Sequence, residues 1–116
     1  MTKILNKNEI KAAPRAKPVP VEVPEWGGTV YVRPLMAWEL DELELELAGG
    51  DTGQRDASNF RARLLAKCLC DEFGARLFAD DEAGEIGEMD AAPISRLFEV
   101  AQTLAGKGTA KAIEKN

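Results

Sequence analysis

Few residues in this chain have the type and spacing that catalysis or metal binding needs. Cys68 and Cys70 are the only cysteines. Two positions apart, they do not match metal-ligand spacing, and on a helix they point to different sides, so they read as ordinary buried small residues in a reducing compartment. The sequence has no histidine, which removes the usual general base near neutral pH, the Ser-His and Cys-His pairs and the commonest zinc ligand. The acidic runs Asp41-Glu42-Leu43-Glu44 and Asp80-Asp81-Glu82 lack the alternating ligand-and-glycine loop that wraps calcium or magnesium, and they read as solvated helix faces. Gly49-Gly50-Asp51-Thr52-Gly53 follows a helix and has no lysine before a Ser or Thr, so it reads as a loop rather than a phosphate cradle. Ser58 and Ser95 read as a helix cap and an early-helix polar residue. No catalytic residue, cofactor or metal site is expected, and the chain reads as a non-enzyme.

The chemistry left over is that of contact. Aromatic residues are few, and Trp26 in a Pro-Glu-Trp-Gly-Gly turn, Tyr31 on a strand and Trp38 at the start of a helix stand out by placement. Each tryptophan has two readings: it folds back onto the core, or it is an exposed anchor for a protein partner, since amphipathic aromatics carry much of the energy of interfaces. Trp26, Tyr31 and Trp38 are therefore the candidate partner-binding residues.

Charge is unevenly spread. Lys3, Lys7, Lys11, Arg15 and Lys17 stand against Glu9 alone in residues 1–17, so that this stretch is at +4 and the remainder must carry −9 to reach the total of −5. The acidic part should repel nucleic acid, and the basic stretch reads as a solvated, flexible arm that could also touch phosphate or an acidic partner. The longest apolar stretches are only a few residues, so no membrane crossing and a cytoplasmic location are expected. A chain of 116 residues with 45% hydrophobic residues supports one modest core.

The elements that must position these residues follow from periodicity. Val19-Pro20-Val21-Glu22-Val23 and Thr29-Val30-Tyr31-Val32-Arg33, separated by a Pro/Gly turn, predict a β-hairpin with Val19, Val21 and Val23 on one face and Pro20 outward on an edge. In residues 35–48, Met36, Leu40, Leu43 and Leu47 fall at helical spacing, and helix propensity decides against a strand; Leu45 either widens the buried face or stands exposed. A second helix is expected to start near Asp56 or Ser58, with Phe60, Leu64, Leu65, Cys68 and Leu69 inward and Arg61, Arg63 and Lys67 on its wet side. Gly74 is placed for a positive φ, which should end that helix and reverse the chain into an extended piece at Arg76–Phe78. Asp80 to Glu85 read as a single helical turn. Asp90 is expected to cap a third helix with Pro93 in its first turn and Ile94, Leu97, Phe98 and Ala101 inward, ending at Gly106 and Gly108 before a frayed helix or tail. The expected fold is α+β and mainly α: about three helices, an N-terminal β-hairpin and a short extended segment after the second helix. The expected organisation is an arm over 1–18, a single domain over 19–105 and a tail over 106–116.

Three stretches in order, Val23-Pro24-Glu25-Trp26-Gly27-Gly28-Thr29-Val30-Tyr31-Val32-Arg33, Cys70-Asp71-Glu72-Phe73-Gly74-Ala75-Arg76-Leu77-Phe78 and Leu97-Phe98-Glu99-Val100-Ala101-Gln102, together resemble the tail assembly chaperones of long, flexible-tailed phages and related prophages. The resemblance covers roughly residues 19–105. It implies an assembly factor in the host bacterial cytoplasm that binds and solubilises the tape measure protein, helps recruit major tail tube subunits, and is absent from the mature virion. It also implies, in many such families, a longer frameshifted form of the same chain, and it is compatible with a homo-oligomer. No nucleic acid or membrane partner is expected. Two positions depart from the family pattern: Met36 stands where a small hydroxyl residue often caps the first helix, and Ala105 where an asparagine often ends the last. The competing reading is a small acidic adaptor, or a nucleic-acid mimic that occupies a DNA-binding protein.

Overall fold

The computed structural model describes residues 2–49 and 58–105. The polar loop after Gly49, the candidate cap Asp56 and the tail from Gly106 lie outside the described residues. In chain order the elements are α1 (Lys7–Ala12), β1 (Val19–Val23), a 3-10 turn (Pro24–Trp26), β2 (Gly28–Val32), α2 (Ala37–Leu47), α3 (Phe60–Cys68), β3 (Leu69–Cys70), a second 3-10 turn (Asp80–Glu82), α4 (Ala83–Gly87) and α5 (Ala91–Leu104). The α+β class holds, with more elements than the sequence suggested.

The expected hairpin forms, with Val21 opposite Val30 and Val19 opposite Val32. Period-two alternation sends Val23 and Val32 fully into the core and leaves Pro20 exposed on the free edge of β1, where its missing N–H costs no ladder bond. Gly27 closes the turn in the left-handed region at φ +70°, a conformation that glycine takes without a Cβ penalty. Across the turn, both Arg96 guanidinium nitrogens of α5 donate to the Glu25 carboxylate at 2.6 and 2.8 Å. These hydrogen bonds hold the Glu25 carboxyl down at about 2, although both side chains are exposed and the pair contributes orientation more than stability.

Three expectations need correction. The arm contains a helix where none was expected. Asn6 and Glu9 form a reciprocal capping box around α1, and Leu5 and Ile10 stand at the flanking positions of a hydrophobic staple; yet no residue of α1 is buried. The second helix does not run to Gly74. It stops at Cys68 because Leu69 turns extended and Leu69–Cys70 pair with Val32 and Tyr31 as a third strand. Arg76 then returns to satisfy the helix end, donating from Nε and Nη2 to the Ala66 carbonyl at 3.1 and 3.0 Å. Gly74 does take φ +91°, but it serves the turn between Cys70 and Arg76, which face each other in an antiparallel bridge; Asp71 Oδ1 braces that turn by accepting from the Phe73 and Ala75 amides. The extended piece therefore lies mainly at Leu69–Cys70. Finally, Ser58 does not cap α3: the N-cap is Asn59 at φ +54°, a region that asparagine tolerates better than most residues.

The core is organised around α3. Ala62, Leu64, Leu65, Ala66 and Cys68 are all buried, and α4 and α5 pack against the helix. Leu65, Ile86 and Leu97 all have zero exposure within this core. Phe60 and Phe98 add an edge-to-face contact at 5.6 Å between ring centroids, with the Arg61 guanidinium 5.1 Å from the Phe98 ring centroid. On α5 the inward positions Ile94, Leu97, Phe98 and Ala101 are those that the periodicity picked out, and Asp90 is the N-cap residue, although its side chain makes no capping bond.

The start of α2 rests on a buried ion pair. Glu39, 2% exposed, accepts from Arg33 Nη1 and Nη2 at 2.9 and 2.6 Å and from the Met36 amide at 3.0 Å. Burial by itself would push the Glu39 carboxyl up; the Arg33 hydrogen bonds and the Met36 N–H outweigh it and leave the carboxyl lowered. The carboxylate three residues into the helix thus makes the half of a capping box that closes the Met36 N–H, the half that needs no hydroxyl at Met36. Glu39→Ala strands a buried guanidinium and is expected to cost about 3 kcal/mol, read as a lower urea midpoint with unchanged slope. The double variant Arg33→Met/Glu39→Leu should recover part of that loss; a double variant weaker than Glu39→Ala would contradict this account.

Candidate docking surface

The structure separates the three aromatic candidates. Trp26, 42% exposed, lies at the hairpin tip and lines an apolar groove with Val30 of β2, Leu69 of β3, Leu77 and Phe78 of the following loop, and Met89 between α4 and α5. The groove has a volume of about 450 Å³, within the range of pockets that hold ligand-sized groups. Its floor is the core face of the sheet, since Val30 and Leu69 share that side; its rim is Trp26, Leu77 and Met89, all exposed. Trp38, 60% exposed, sits in the first turn of α2 with exposed Met36 and Leu40 nearby on the same helix end. Tyr31 alternates to the other face of β2, half-buried, between Pro20 and Cys70. Leu45 is exposed, which settles its two readings.

A second, larger concavity of about 680 Å³ runs beside the base of the arm, lined in part by Arg15, Pro18, Leu35, Met36 and Phe73. Leu77, Phe78 and Met89 do not stand out in the sequence because they lie in irregular stretches with no apolar period. The visible signal was the end of the second family-like stretch, Arg76-Leu77-Phe78, where two adjacent apolar residues follow a turn and cannot both face inward.

Behind these surfaces the polar groups are committed to holding the scaffold. Lys67, expected on the wet side of α3, is instead fully buried at 1% exposure. Its Nζ lies 2.9 Å from Glu42, 3.6 Å from Glu46 and 3.2 Å from Asp80. The burial arises because α2 covers one flank of α3 and the Asp80 turn covers another. The two acidic runs are thus only partly solvated faces: Asp41 and Glu44 face water, while Glu42 and Asp80 turn onto the ammonium. The Glu42, Glu46 and Asp80 oxygens lie within 4.8 Å of one another, a spacing that fits a cation, and the Lys67 ammonium supplies that charge. Burial disfavours the Lys67 charge, but the hydrogen bonds to Glu42 and Asp80 and the field of Glu46 more than offset it, and its pKa is raised. For Asp80, burial pushes the carboxyl up while Arg76, at 2.7 Å, and Lys67 pull it further down.

Both cysteines are buried, and burial pushes the Cys68 thiol up to about 12 and raises Cys70 as well, so neither presents a thiolate near neutral pH. The Cys70 Sγ–H points at the Tyr31 carbonyl at 3.6 Å. No helix among the described residues is long and apolar enough to cross a membrane.

A small sheet layered with helices, its buried charges used up in internal pairs and its exposed Trp26, Leu77 and Met89 gathered around one apolar groove, is the build of a module that offers a surface to another polypeptide. The chain belongs to the phage tail assembly chaperone family, whose model matches residues 9–116. That family works through protein partners in tail assembly. Comparison with curated proteins and with solved structures gives no match.

Replacing Lys67 by Met leaves Glu42, Glu46 and Asp80 facing each other with Arg76 alone to offset them, and because these carboxylates are 35–41% exposed the expected cost is about 1 kcal/mol at neutral pH. The sign with pH is opposite in the two proteins. In the native chain Asp80 has a lowered carboxyl, so its stabilisation is present above the ordinary carboxylate pKa and is lost as pH falls. In Lys67→Met the crowded carboxylates are raised, so the strain is present at neutral pH and relieved as they protonate. Urea unfolding at pH 7 and at about pH 4 should show the gap between the two proteins narrowing in acid; an equal gap at both would rule out carboxylate repulsion as its cause.

Proposed function

We propose that this protein is a tail assembly chaperone that binds the tape measure protein of its phage, keeps that protein in solution and helps to recruit major tail tube subunits around it. It acts in the host bacterial cytoplasm and stays out of the mature virion. The observation that carries this reading is the exposed apolar groove around Trp26, Leu77 and Met89 on a chain of this family. A long helical client left alone exposes an apolar stripe, and such a stripe laid into a groove is a recurring mode of recognition. Trp26 is the proposed central anchor, with Trp38 on a second patch and Tyr31 contributing from the opposite face of β2. The surfaces belong to one domain over 19–105, with the arm and the tail as appendages, and a longer frameshifted form of the chain would bring the tube subunit to the client.

A nucleic-acid mimic has less support. Glu25, Glu39, Glu42, Glu46 and Asp80 are paired with Arg96, Arg33, Lys67 and Arg76, which breaks up the continuous acidic face that mimicry of a phosphate backbone needs.

Co-expression tests the reading. The native chain should move its phage's tape measure protein from the insoluble to the soluble fraction. Trp26→Ala, in a groove position where aromatic anchors dominate, should weaken client binding by about tenfold or more, with Trp38→Ala and Tyr31→Ala having smaller effects. If all three variants keep their fold and hold the client as well as the native chain does, the contact residues are misassigned; if the native chain leaves the client insoluble, the function is.

A further inference from the structure

The arm and the groove are complementary in kind. Ile4 and Leu5, just before α1, and Ile10 within it are 92%, 51% and 57% exposed, and no residue of the helix is buried. Such a short helix gains little from propensity alone, yet its capping box fixes its start, so the helix and its lead-in together present three apolar side chains that the body does not cover. These side chains are interspersed with Lys3, Lys7 and Lys11. The groove is apolar throughout its lining, and Met89 on its rim is flanked in the chain by exposed Glu88 and Asp90. At the scale of the whole chain, residues 1–17 carry +4 against −9 on the rest.

We propose that the arm of one copy docks in the Trp26–Met89 groove of a second copy, with Ile10 and its apolar neighbours in the groove and the lysines against Glu88 and Asp90. The base of the arm favours a second copy over the arm's own body. Arg15 and Pro18 lie beside Leu35, Met36 and Phe73, and the arm enters β1 at Val19, opposite Val32, whereas Trp26 sits at the far, hairpin end of the same strands. Self-association of this kind would cover the groove until a client displaces the arm, so it goes beyond client binding and can be tested in the isolated protein.

The test uses single cysteines at two exposed positions, Ile10→Cys and Met89→Cys, with the native Cys68 and Cys70 shielded by burial. The two purified variants are mixed and treated with a short bismaleimide, and circular dichroism verifies the fold of each. Sedimentation of the native chain over a range of concentrations gives an independent reading. The expected result is a cross-linked pair in the mixture and a mass above that of a monomer for the native chain. The association should weaken by about tenfold or more in about 1 M salt, where the screening length falls to about 3 Å. Cross-linking within one chain of the doubly substituted protein at high dilution, with the native chain monomeric, would place the arm on its own body and overturn the proposal. So would a monomer with no cross-link at any concentration. Neither of these results bears on whether the chain solubilises a tape measure protein, which separates the two failures.

Discussion

The buried ammonium of Lys67 is the constraint on which the rest of the body depends. One charged group, taken out of water on the central helix, has to be met by carboxylates from outside that helix, and it draws them from two places: Glu42 and Glu46 one turn apart on α2, and Asp80 at the head of the second 3-10 turn. Because an unpaired buried charge costs several kcal/mol, the ammonium sets where α2 and the Asp80 turn can sit relative to α3. Arg76 extends the arrangement, sharing Asp80 with Lys67 while its guanidinium closes the Ala66 carbonyl at the end of α3. A single chain of contacts therefore runs from α2 through Lys67 and Asp80 to the point at which α3 gives way to β3.

That junction places the groove. With α3 stopped at Cys68, Leu69 and Cys70 extend the hairpin into a three-stranded sheet, and Leu69 joins Val30 on its core side. The Arg76 anchor fixes the start of Leu77–Phe78, so these two residues come down beside the sheet rather than continuing a helix. Met89 arrives from the other direction, between α4 and α5, and the Glu25–Arg96 pair ties the hairpin tip to α5 and so sets the position of Trp26. The apolar surface is thus assembled from irregular segments, each held by a polar contact a residue or two away.

Those polar contacts mark the limit of what could be read in the sequence. The hairpin, α2, α5 and the glycine turn at Gly74 were legible because each depends on a local rule: alternation of valines, leucines at helical spacing, a proline in a first turn, a residue free to take positive φ. Lys67 was not, because a lysine three residues after Leu64 on an arginine-bearing helix carries the local signature of a wet face; only the approach of α2 and the Asp80 turn reverses it. The same holds for Glu39, which looks like one more acid in Glu39-Leu40-Asp41-Glu42 until Arg33 is brought beside it. The early end of α3 was hidden for a related reason, since Leu69 and Cys70 fit an apolar helical stripe as well as they fit a strand, and the partner that decides between them, β2, lies more than thirty residues away. α1 was missed in the opposite sense: its capping signals are local and present, and they were outweighed by the lack of an apolar face to bury. Of the groove residues, Trp26 stood out from its place in a turn, whereas Leu77, Phe78 and Met89 form a surface only through tertiary contact.

The division of labour between the two kinds of side chain bears on selectivity. Every strong polar interaction described in the body is internal, and the groove lining from Trp26 to Met89 contains no charged side chain. A surface of that composition discriminates by shape and apolar area, because it has no buried donor or acceptor that a wrong occupant would leave unpaired, and unpaired polar groups are what make recognition steep. Such a groove accepts many apolar segments with similar affinity. That is a liability in an enzyme pocket, but it suits the proposed function, in which successive stretches of a long chain of varying sequence would be engaged. The acidic residues beside it, Glu88 and Asp90, limit the breadth: they disfavour acidic segments, leaving segments that combine an apolar stripe with positive charge as the occupants best matched to the groove.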